Sequence, residues 1–69
     1  MDELVTVATF PDTPEAELAR ERLELEGVRA FVVDAQTGGV MPYLVSSTGG
    51  VRVQVASTDL ERAKQILGI

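Results

Sequence analysis

Apolar positions along this chain recur with two different periods, and the changes from one period to the other mark out five elements. Leu4 to Phe10 is β-branched and apolar on both alternating sets, Val5 and Val7 on one and Leu4, Ala8 and Phe10 on the other. That pattern reads as a strand buried on both faces, and it carries no Lys, no internal Pro and no bulge signal. Pro11-Asp12-Thr13-Pro14-Glu15 then combines a breaker, capping candidates at Asp12 or Thr13, and an acid suited to a helix N-terminus. The spacing predicts a helix from near Pro14 to about Glu26, stopped by Gly27. Its inner face is Ala16, Ala19 and Leu23, at i, i+3 and i+7, a stripe small enough to lie close to a sheet. Leu18 and Leu25 fall on the opposite side, about 180° away at about 100° per residue. They are either scattered surface leucines or a partner contact.

Val28 to Val33 predicts a second strand ending at Asp34, with Ala30 and Val32 on one face and Arg29, Phe31 and Val33 on the other. Val51 to Val55 alternates cleanly, Val51, Val53 and Val55 against Arg52 and Gln54, so the third strand is half buried with its valines toward the helices. Ser57-Thr58-Asp59 supplies a cap, Leu60, Ala63 and Leu67 give a second helical stripe, and Gly68 ends it. Strand, helix, strand, strand, helix is the ferredoxin-like split β-α-β order without its fourth strand. A right-handed crossover then places the third strand between the first two, giving an α+β domain over residues 1–69 with an antiparallel sheet in the order 1-3-2 and both helices on one face. The first strand becomes an edge at which a fourth strand is expected and the sequence ends instead. Homodimerisation through that edge or through the open sheet face is the expected consequence, and coverage of the edge by the N-terminal residues or by loop 34–50 is the alternative.

Composition narrows the chemistry. Sixty-nine residues make one small domain, and 45 % hydrophobic with 25 % charged residues is ordinary globular composition. With no Cys and no His, thiolate and histidine nucleophiles and zinc sites of standard composition are excluded. A net charge of −5 with scattered Arg and Lys argues against nucleic acid as a partner. The acidic start, Met1-Asp2-Glu3, and the lack of any long apolar run point away from a membrane and toward the cytoplasm. Glu15, Glu17, Glu21, Glu24 and Glu26 share the first helix with Arg20 and Arg22, and read as a solvated charged face with pairs such as Arg22 with Glu26. No cofactor and no catalytic residues are expected.

Two features are candidates for binding. The segment from Asp34 to Gly50 is long for so small a domain, and its centre, Val40-Met41-Pro42-Tyr43-Leu44-Val45, is apolar where a hairpin loop would be polar. It either completes the core or binds a partner. Met41, Tyr43 and Leu44, together with Phe31 and Arg52 on the sheet, are therefore the expected contacts for a protein or small effector. Gly49-Gly50 with Arg52 could alternatively present backbone amides and a guanidinium to an anion or nucleotide, although neither a Walker loop nor a dinucleotide fingerprint is present. Turn glycines between strands are the plainer reading of that pair.

The opening Leu4-Val5-Thr6-Val7-Ala8-Thr9-Phe10, the helix Glu15-Ala16-Glu17-Leu18-Ala19 through Leu23-Glu24-Leu25-Glu26-Gly27-Val28, then Ala30-Phe31, Val33-Asp34 and Gly49-Gly50-Val51-Arg52-Val53-Gln54-Val55 together resemble the putative prokaryotic signal transducing protein family, small bacterial domains related to the PII/GlnB-like group. The resemblance covers almost the whole chain. It implies a ferredoxin-like α/β fold and a regulatory binding role, with no catalytic residues to carry over. PII proteins bind ATP and 2-oxoglutarate through a long loop and basic residues, whereas here only Arg52 lies near the candidate loop.

Overall fold

The computed structural model describes residues 3–34 and 50–69. The chain forms β1 (Leu4–Phe10), α1 (Thr13–Leu25), β2 (Ala30–Asp34), β3 (Val51–Ala56), a single 3-10 turn (Ser57–Asp59) and α2 (Leu60–Leu67). The three strands make one antiparallel sheet in the order β1-β3-β2. One cluster contains Ala16, Ala19 and Leu23 of α1, Ala63 of α2 and the valines of β3, so both helices cover the same face of the sheet.

The first strand departs from its expected form in an informative way. Thr6 pairs with Gln54 and Ala8 with Val53, so Val7 is an extra residue and β1 is bulged there. Before the bulge Val5 lies opposite Val55, and after it Ala8 and Phe10 lie opposite Val53 and Val51, so all three share the core face with β3's valines. Leu4, Thr6 and Thr9 point the other way and are exposed. The two apolar sets of β1 are thus one face shifted by a residue, which corrects the expectation of a strand buried on both sides and free of bulges. Two smaller boundaries also move. The second strand starts at Ala30 instead of Val28, because Val28 is used to close α1. The Ser57-Thr58-Asp59 segment forms a 3-10 turn from which Asp59 makes no side-chain cap.

Helix ends follow their local chemistry. Asp12 is the N-cap of α1, its Oδ1 accepting from the Glu15 N–H at 3.0 Å. At the other end Gly27, at φ 86°, lets the Val28 N–H reach the Leu23 carbonyl at 2.8 Å and the Gly27 N–H reach that of Glu24 at 3.0 Å. Leu23 and Val28, the hydrophobic pair that accompanies this closure, are both fully buried. Gly68, at φ 76°, ends α2 in the same way, with the Ile69 N–H on the Lys64 carbonyl at 3.0 Å. The Glu24 carboxylate accepts from the Ala30 N–H at 3.1 Å and so holds the first amide of β2.

Two arginines join the helices. Arg22 donates to the Ile66 carbonyl at 3.0 Å and Arg62 to the Glu26 carbonyl at 2.6 Å. Each cation thus serves a carbonyl at the end of the other helix, where the dipole is negative. Because 22 meets 66 while 26 meets 62, the helices run antiparallel. The expected Arg22–Glu26 pair is therefore replaced: the guanidinium is drawn across to a carbonyl that α2 cannot satisfy itself. The i, i+3 pair Arg20–Glu17, at 2.8 Å, is the ion pair found among the described residues.

Truncating Leu23 to Ala should cost about 2–5 kcal/mol, because the side chain is fully buried in contact with both sheet and turn. Leu25→Ala, at a side chain 80 % exposed, should stay within about 0.5 kcal/mol of wild type. Arg22→Met and Arg62→Met should each lose about 1 kcal/mol, near the net worth of one hydrogen bond. Urea unfolding of the four variants checks these values.

Candidate functional site

The helices cover one face of the sheet, and no described element covers the other. Cross-strand pairing fixes its membership. Thr9 and Val33 flank Arg52, Thr6 and Phe31 flank Gln54, and Leu4 lies opposite Ala56. Thr6 and Gln54 are joined by a side-chain hydrogen bond of 3.2 Å. Phe31 is 42 % exposed and Leu4 47 %, so an aromatic ring and an aliphatic side chain stand in solvent at separate strands of a largely flat surface. Arg52 is exposed on the far side of Phe31 from Leu4, one same-face step along β3 from the Gln54–Phe31 pair. Alternation produces this face on β2 and β3, and on β1 alternation with the bulge at Val7 brings Thr6 and Thr9 to the same side.

Of the residues expected to bind, Phe31 and Arg52 are brought onto this one face. Gly50 lies apart from them, at the entry to β3 and in the left-handed region at φ 72°. A side chain at Gly50 would come within 3.9 Å of the backbone carbonyl oxygens of Phe10 and Pro11. Met41, Tyr43, Leu44 and Gly49 lie outside the described residues, as does most of loop 34–50.

Among the described residues no group of three or more acids could hold a metal ion. The carboxylates of α1 are exposed. Hydrogen bonding to Glu17, and then its charge, raises the Arg20 pKa above the ordinary arginine value, which leaves it a permanent cation. Among the described residues no side-chain polar atom is buried without a partner. No described helix is long and apolar enough to cross a membrane.

A second surface feature was not legible in the sequence. Between β1, α1 and the end of α2 lies a groove of about 700 Å³ lined by Ala8, Thr9, Phe10, Leu18, Leu67 and Ile69, with Glu15, Glu21 and Arg22 at its polar parts. Leu18, 64 % exposed, and Ile69, 65 % exposed, give the groove its most open apolar side chains. The one available signal was the placement of Leu18 opposite the core stripe of α1.

In comparison with known families, the family described as putative prokaryotic signal transducing protein matches residues 4–68 of this chain. No curated protein and no solved structure matches it.

Proposed function

Since the chain belongs to the putative prokaryotic signal transducing protein family, we propose that it is a non-enzymatic regulatory module whose open sheet face binds a protein or small effector through Phe31 and Arg52. The observation that carries this reading is the ring of Phe31, 42 % exposed on the face that also presents Arg52. Aromatic and arginine side chains are enriched in the cores of interfaces, where a ring supplies apolar area and a guanidinium supplies directed hydrogen bonds. The strands hold both residues in fixed positions, so little ordering is needed on binding. Binding, with no bond made or broken, suits an assembly of exposed carboxylates that lacks His and Cys.

Phe31→Ser with Arg52→Ser should leave the melting temperature nearly unchanged, because both side chains lie on the exposed face. Quantitative capture from a lysate of the source bacterium, wild type against the double variant, tests the assignment. The reading expects specific partners to fall by about tenfold or more, the equivalent of about 1.4 kcal/mol. Unchanged capture of every partner would refute the assignment of this face.

A further inference from the structure

We propose that the outer edge of β1 and the groove beside it receive an extended, apolar peptide segment flanked by basic residues, added to the sheet as a further strand. This site is separate from the open sheet face and does not depend on it.

The first observation is the composition of the groove wall. A cavity touching one face of a strand would meet alternate residues, Ala8 and Phe10. Here Thr9, whose side chain turns to the opposite face beside Arg52, lines it as well. The groove therefore wraps around the strand's outer edge, where backbone N–H and C=O groups face outward. In the sheet order β1-β3-β2 these groups have no partner strand among the described residues. The bulge at Val7 distorts the middle of that edge, and the regular part that remains, Ala8 to Phe10, is the part the groove reaches. An incoming strand would find main-chain partners and, beside them, an apolar slot walled by Leu18, Leu67 and Ile69 for alternate side chains.

The second observation is charge. The charges lining the groove are the exposed carboxylates of Glu15 and Glu21 and the guanidinium of Arg22, which is turned onto the Ile66 carbonyl, so the lining keeps a net negative charge. A segment carrying Lys or Arg beside its apolar positions complements it, and a chain of net charge −5 does not. Shape gives the same answer. In a twofold dimer through this patch the groove would have to be filled by a protruding part of the same surface on the other copy. A narrow extended segment fits a groove that runs beside a strand edge. A peptide is therefore taken as the occupant, and the homodimer expected from the strand edge is the outcome that the test separates from it.

Selection of a phage-displayed random peptide library on the immobilised full chain, with Leu18→Asp as the counter-selected variant, tests the proposal. Sequences with apolar residues at alternate positions and flanking Lys or Arg are expected. A synthetic peptide from that set should shift the amide resonances of Ala8, Thr9 and Phe10. Its affinity should fall about tenfold or more in Leu18→Asp, which loses an apolar contact, and in Glu15→Lys with Glu21→Lys, which reverses the charge. Leu18 and both glutamates are exposed, so these variants should keep the fold. The proposal is overturned if no sequences are enriched, if the enriched set is acidic or lacks alternation, or if the shifted amides lie elsewhere. It is equally overturned if sedimentation shows a wild-type dimer that Leu18→Asp dissociates, since the occupant would then be a second copy.

Discussion

The extra residue at Val7 is the constraint on which the rest of this small fold depends. A strand alternates strictly, so without the bulge Val5 and Val7 would face the helices while Ala8 and Phe10 faced solvent. Inserting one unpaired residue changes the phase and turns both ends of β1 inward, opposite Val55, Val53 and Val51. One strand of seven residues thereby gives the core four apolar side chains, and the other face keeps mainly Thr6 and Thr9. In a domain of this size that one-sidedness matters, because the large apolar layer among the described residues lies between sheet and helices.

Around that layer the parts are small and close. α1 buries two alanines and one leucine, α2 buries one alanine, and the valines of β3 occupy the space between them. Small residues on both helices allow the close approach that lets Arg22 and Arg62 reach across to the opposite helix end. The antiparallel arrangement is supported by Arg22 and Arg62, each donating to a carbonyl of the other helix end. The same geometry leaves the groove: the helices converge on β3, and the outer edge of β1 is left beyond their reach near Leu18 and Ile69.

Much of this was readable from residues alone. The element order, the sheet order, the stripe Ala16, Ala19 and Leu23, the valine face of β3 and the glycine stops all follow from period and local chemistry, and the structure agrees. The bulge was not readable, because Leu4 to Phe10 contains no Gly or Pro to mark it; a shift of phase and a strand buried on both faces have the same sequence signature. The exchange of Arg22 from Glu26 to Ile66 was also hidden, since i, i+4 spacing says nothing about a carbonyl 44 residues away. Of the candidate site, Phe31 and Arg52 were found by alternation. The groove was missed because it is built from three elements, none of whose sequences describes a concavity.

The register of β1 against β3 is the most direct measurement. Nuclear Overhauser contacts between backbone protons across the two strands should place Thr6 opposite Gln54, Ala8 opposite Val53 and Phe10 opposite Val51, with Val7 unpaired. A continuous ladder with Val7 opposite Val53 and Thr9 opposite Val51 would contradict the bulge. It would also return Ala8 and Phe10 to the exposed face, and the one-sided core, the open face and the edge groove would all have to be redrawn.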